Sequence, residues 1–174
     1  YFALCPLDGR YVQIGEKLAP YFSEFALVEN RVKVEVYWLK YMLENIKSSD
    51  ILNNFDKSRI PEILSIYENF SGESITRIKE IESVTNHDVK AVELYVGEKL
   101  REMGMGELVS FVHFGCTSED INNTSYANMI KTALSDVWLP AAENLIGNVV
   151  DMAEKAKDIP MLAHTHGQPA TPTT

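Results

Sequence analysis

Apolar residues recur every three or four positions through most of the chain, which predicts helices. Phe25, Val28, Val32, Val36, Leu39, Leu43 and Ile46 line one face of a long helix. Inside it, Val32-Lys33-Val34-Glu35-Val36 alternates as a strand would. The stripe continues on both sides, so helix is favoured despite the β-branched residues. Ser48-Ser49-Asp50 and Asn53-Asn54 mark a loop. Ile60, Ile63, Tyr67 and Phe70 form a second stripe, with Pro61 suited to a first turn. Ile75, Ile78 and Ile81 form a third. From Asp88, the stripe Val89, Val92, Val96, Leu100 and Met103 ends at Gly104-Met105-Gly106. Residues 107–116 are apolar and predict a turn or buried crossover. Ser118 reads as the cap of the next helix, with Glu119 and Asp120 in its first turn. That helix runs through Met129, Ala133 and Val137. Pro140 either breaks it or opens a new helix carrying Ala142, Leu145, Val149 and Ala153. After Pro160 the periodicity disappears. Three of the seven prolines fall in the last 15 residues, which predicts an extended, irregular tail with no strand pair. The class is all-α, with a possible boundary near residues 104–116.

Composition narrows the picture. The 174 residues are 45% hydrophobic, which suits one or two folded domains rather than disorder. With 16 basic and 25 acidic residues the net charge is −9, spread evenly, and no basic face for a nucleic-acid partner is expected. No apolar run approaches the roughly 18–20 residues a membrane span needs, and no signal-peptide pattern opens the sequence. Two cysteines, Cys5 and Cys116, make no disulfide framework and predict a reducing compartment. The sequence opens on Tyr1-Phe2 and stops at Pro172-Thr173-Thr174, so a segment of a longer protein is expected.

Four polar clusters interrupt the pattern at helix starts and in loops, where functional groups are usually displayed. In Asp8-Gly9-Arg10-Tyr11, an arginine beside a glycine can grip phosphate or carboxylate; the plainer reading is a surface turn. Thr85-Asn86-His87-Asp88 places a histidine–aspartate pair at a helix start; the plainer reading is a cap formed by Asn86. Cys116-Thr117-Ser118-Glu119-Asp120-Ile121-Asn122-Asn123 offers hydroxyls and free N–H groups to an anion, and carries more acids and amides than a cap needs. Cys116 has no adjacent base and reads as a structural thiol rather than a nucleophile. His164-Thr165-His166-Gly167-Gln168-Pro169-Ala170 lacks further residues at metal-ligand spacing. A histidine there suits proton donation better, because imidazole exchanges its proton near neutrality. A loop histidine without a role is the plainer reading. The residues alone suggest acid–base chemistry on a small anion and name no reaction.

In order and separation, these clusters resemble those of the adenylosuccinate lyase family of the fumarase/aspartase superfamily. The segments are Pro6-Leu7-Asp8-Gly9-Arg10-Tyr11, Thr85-Asn86-His87-Asp88-Val89-Lys90-Ala91-Val92-Glu93, Phe114-Gly115-Cys116-Thr117-Ser118-Glu119-Asp120-Ile121-Asn122-Asn123 and Thr165-His166-Gly167-Gln168-Pro169-Ala170. The resemblance covers essentially the whole chain. It implies a small N-terminal helical domain over residues 1–111, then the truncated start of a long-helix bundle over 112–174. It implies β-elimination of fumarate from adenylosuccinate, giving AMP, and from a succinylated aminoimidazole carboxamide ribotide. It implies no cofactor, no metal and a homotetramer with shared active sites in the cytoplasm, or in a plastid if a transit peptide preceded Tyr1.

Residue by residue, the resemblance assigns His166 as the general acid. Arg10 and Tyr11 match contacts to the nucleotide. Asn86, His87 and Asp88 match a substrate-binding trio, Thr117 and Ser118 donors to a succinyl carboxylate, and Gln168 an orienting residue. Some members carry arginine where this chain has His164. The family's base is a serine in a Ser-Ser-x-Met-Pro-x-Lys-x-Asn loop, a segment not found here. The substrate carries a phosphate and two carboxylates, yet residues 101–174 hold only Arg101, Lys131, Lys155 and Lys157, none in a motif. The remaining cations are expected further along the chain or on another subunit. Another superfamily lyase and a non-catalytic helical scaffold are the alternative readings.

Overall fold

A computed structural model describes residues 5–174. It is mostly helical and divides into two compact units, one ending at Thr132 and the other spanning Ala133–Thr174.

The first unit opens with two short helices, α1 (Val12–Gly15) and α2 (Ala19–Phe22). Its axis is α3 (Glu24–Asn45), started by the Ser23 hydroxyl, which accepts the Ala26 N–H at 3.2 Å. The anticipated stripe lies inward: Val28, Val32, Val36, Leu39 and Leu43 are buried, joined by Ala26 and Met42. The strand-like alternation is overridden by the longer helical stripe, and Glu35 turns inward with that stripe. Phe25 is partly exposed and meets Phe70 edge-on at 5.1 Å between ring centroids.

The loop residues expected after α3 include a short α4 (Asp50–Asn54), capped by Ser49. Next come α5 (Ile60–Glu68), α6 (Gly72–Thr85) and α7 (Asp88–Glu102). Pro61 occupies the first turn of α5, where its missing N–H costs nothing. A Ser71/Ser74 capping box starts α6. Ile60, Ile63, Ile78, Ile81, Val92, Val96 and Leu100 complete one core around α3. Gly97 lets α7 approach the 3₁₀ segment Gly106–Phe111: a Cβ there would lie 3.2 Å from Val109 Cγ1. The chain leaves α7 through Gly104, whose φ of +72° suits glycine.

Two capping expectations are corrected. Asn86 does not cap α7; it closes α6 in the left-handed region (φ 52°), and His87 is the α7 cap. Ser118 is the first residue of α8 (Ser118–Ala133) rather than its cap. The Asp120 carboxylate accepts the Thr117 N–H at 2.8 Å, which shifts the cap position to Thr117.

The second unit begins with a π-helical turn, Leu134–Trp138, in which the Leu139 N–H reaches the Leu134 carbonyl. Helix α9 (Leu139–Ala156) follows, with Pro140 harmless in its first turn. The expected irregular tail is instead a β-hairpin. β1 (Met161–Thr165) pairs antiparallel with β2 (Gln168–Thr173). Pro169 and Pro172 are tolerated because a two-stranded ribbon has only edge strands. No helix among the described residues is long and apolar enough to cross a membrane.

Candidate functional site

The first cluster forms a tight turn. Asp8 N–H donates to the Cys5 carbonyl at 3.1 Å, and Tyr11 N–H donates to the Pro6 carbonyl at 2.9 Å. The Arg10 guanidinium lies 5.4 Å from the Tyr11 ring centroid, and both side chains are exposed. Among the described residues, no hydrogen bond or ion pair ties Arg10 or Tyr11 to the other clusters.

The second and third clusters are joined by a residue of α3. Arg31 is only 5% exposed. Its Nη2 is 2.7 Å from Asp88 Oδ2, and its Nε donates to Asn122 Oδ1 at 2.9 Å. The start of α7 and the first turns of α8 are thus tied through one guanidinium. Asp88 Oδ1 also accepts the Val89 N–H at 2.8 Å. Partial burial pushes the Asp88 carboxyl up, but the Val89 N–H and the Arg31 charge outweigh it and hold the group below its ordinary value. Asn122 donates onward to Glu119 Oε1 and Asn123 to Glu119 Oε2, both at 3.1 Å.

His87 caps α7 through Nδ1, which accepts the Lys90 N–H at 3.2 Å. The neutral ring therefore carries its proton on Nε2, and the side chain is exposed. Thr117 is exposed and Ser118 half-buried. Among the described residues neither hydroxyl has a hydrogen-bond partner, which leaves both free as donors at the start of α8.

A second buried group on α3 holds the turn that leads to Thr117. Glu35 is fully buried. Its Oε1 lies 2.6 Å from His113 Nδ1, and its Oε2 accepts the His113 N–H at 3.1 Å. His113 has a φ of 62°, a conformation that costs a non-glycine residue about 1–2 kcal/mol. Burial raises the Glu35 carboxyl above its ordinary value, the His113 contacts oppose the rise, and the nearby Glu93 adds to it. Burial, with the charges of Glu35 and Asp120, also raises the Cys116 thiol, which keeps it protonated and a poor nucleophile.

In the second unit, His166 and Gly167 are the two residues between the paired positions Thr165 and Gln168. Their φ values are 51° and 75°, the signs a type I′ hairpin turn requires. His166 therefore stands exposed at a tight turn in a conformation uncommon for histidine. Gln168 opens β2, and His164 pairs with Pro169 across the ribbon.

Arg31, Glu35 and His113 belong to none of the four sequence clusters. A signal for two of them was present: Arg31 and Glu35, four residues apart, place charges on the apolar face of α3. Nothing in the sequence marked His113, whose partner lies 78 positions away.

The helical class and its polar helix starts belong to a recognised group. The chain matches the family described as lyase over residues 9–174, and it is a member of that family. Its relatives include the adenylosuccinate lyase of Escherichia coli strain K12, 46% identical over 173 residues, or 99% of this chain and 38% of the relative. The adenylosuccinate lyases of Legionella pneumophila strain Corby and Haemophilus influenzae are 44% and 45% identical, with the same coverage. The chain thus spans 38% of the length of these curated relatives.

Proposed function

We propose that the protein carrying this chain is an adenylosuccinate lyase. The observation that supports this most strongly is 44–46% identity to enzymes of that name over 99% of the chain. The reaction is a β-elimination. A base takes the proton from the carbon beside a succinyl carboxylate, the electron pair forms the fumarate double bond, and the C–N bond breaks. An acid protonates the departing nitrogen, giving AMP from adenylosuccinate or the corresponding carboxamide ribotide. No residue of this chain is proposed as the base.

His166 is the proposed acid; its place at a hairpin tip keeps the ring exposed and its backbone fixed. Thr117 and Ser118 are the proposed donors to the succinyl carboxylate, and their free hydroxyls and the α8 N-terminus support that. Asn86 and His87 are the proposed substrate contacts at the start of α7, with His87 offering Nε2–H. Arg10 and Tyr11 are the proposed nucleotide contacts, and Gln168 orients the hairpin tip. The proposed domains are residues 1–111 and the start of a helical bundle over 112–174. The proposed assembly is a cytoplasmic homotetramer with shared active sites.

The test is fumarate release by the full-length protein offered adenylosuccinate, argininosuccinate and aspartate separately. Turnover of adenylosuccinate alone is expected. Preference for either other substrate, or no turnover of any, overturns the reading.

A further inference from the structure

We propose that Arg31 is a positioning residue that sets the separation between the α7 and α8 starts, and that Asp88 serves the site through Arg31 rather than by touching substrate. This rests on the lyase reading for its activity arm. Each Asp88 oxygen already holds a partner, Oδ1 the Val89 N–H at 2.8 Å and Oδ2 Arg31 at 2.7 Å. Turning the carboxylate toward substrate would break its contact to a guanidinium that is itself buried. A buried arginine without its partners is costly, so the arrangement resists exchange.

The chain of contacts runs through three helices. Asp88 is the first residue of α7 and follows the exposed His87. Arg31 passes from Asp88 to Asn122, which is 9% exposed, and Asn122 passes to Glu119 in the first turn of α8. Glu119 directly follows Thr117-Ser118. The fork of one arginine therefore spans the His87 segment and the hydroxyl-bearing segment. Its Nε and Nη2 point to different partners, which a single ammonium at this position cannot reproduce.

The experiment uses the full-length protein with Arg31→Gln, Arg31→Lys, Asp88→Asn, Asn122→Ala and the double variant Arg31→Gln/Asn122→Ala. Turnover is expected to fall about tenfold or more in Arg31→Gln and Asn122→Ala, since small misplacements of reacting groups are expensive. KM for adenylosuccinate stays within about threefold in these and in Asp88→Asn, on the principle that lost positioning lowers kcat. Arg31→Lys recovers only part of the loss. The double variant is no worse than its poorer parent, as coupled neighbours require. Backbone amide exchange quickens together in residues 87–91 and 119–124.

A KM rise of more than about tenfold at unchanged kcat in Asp88→Asn shows direct substrate binding and overturns the proposal. Additive losses in the double variant, or faster exchange confined to α3, overturn it as well. Asn122→Ala leaves the charges in place and decides the matter if Arg31→Gln does not fold. Should the wild type cleave a different substrate, the lyase assignment fails alone, because amide exchange reads the coupling without any substrate.

Discussion

Replacing Glu35 separates the two things its carboxylate does: it fills a buried space and it holds His113 in a left-handed conformation. Glu35→Ala leaves the His113 N–H and ring nitrogen without their buried partner. Leaving a buried hydrogen-bonding group without its partner costs about 1–3 kcal/mol. At 1.4 kcal/mol per tenfold, amide exchange at His113 should quicken about 5- to 150-fold if it proceeds through local opening. Glu35→Gln keeps the volume and one oxygen for the His113 N–H, so it should lie within about 1 kcal/mol of wild type.

The pH dependence carries a definite sign. Burial raises the native Glu35 carboxyl above its ordinary 4.5, so the native state binds the proton more tightly than the unfolded state. Its contribution is fully present below 4.5 and is lost as pH rises through the raised native value. His113, Glu93 and Cys116 face this group, and Lys90 neutralises Glu93 at 2.6 Å. Against Glu35→Gln, the wild type should therefore lose relative stability from about pH 4.5 upward. Exchange at His113, followed from pH 4 to 8 in the full-length protein after correction for intrinsic rates, measures it. Identical profiles for wild type and Glu35→Gln would refute the reasoning, as would Glu35→Ala exchange within threefold of wild type.

Asp88 shows the opposite dependence: its carboxyl is held down, so its stabilisation is present above the ordinary 3.8 and fades as pH falls through the lower native value. Asp88→Asn should remove that acid-side loss, read by exchange of the Val89 amide. Gly97→Ala crowds Val109, and that crowding should offset the gain of about 1 kcal/mol that alanine brings inside a helix, leaving the first unit no more stable than wild type, seen in exchange of the α7 amides. Cys116 should react with a thiol reagent more slowly at pH 7 than an exposed cysteine in a peptide, because burial and neighbouring acids keep it protonated; an equal rate contradicts this.

The helices of the first unit were legible because their stripes are regular: Val28 to Leu43 and Val89 to Leu100 all turn inward. The hairpin was not, because Pro160, Pro169 and Pro172 read as breakers, and edge strands tolerate what central strands cannot. The cue lay in His166-Gly167, a two-residue turn between paired runs. Helix caps were misplaced by one residue at Asn86 and Ser118, since side-chain acceptors compete locally for the same N–H groups. The polar clusters were found as motifs. What joined two of them, Arg31, stood out only as a charge on the apolar face of α3; its partner Asn122 lies 91 positions away, and such contacts leave no periodic signature.

The assignment of His166 as the acid is the step on which the proposed reaction turns. It is tested by kcat of the full-length His166→Asn protein on adenylosuccinate. Asparagine accepts the left-handed backbone at this turn, so the change removes the proposed proton donor and spares the hairpin. A fall of about 10²–10⁴-fold in kcat is predicted, with KM within a few-fold of wild type. A kcat near that of the wild type would contradict the account.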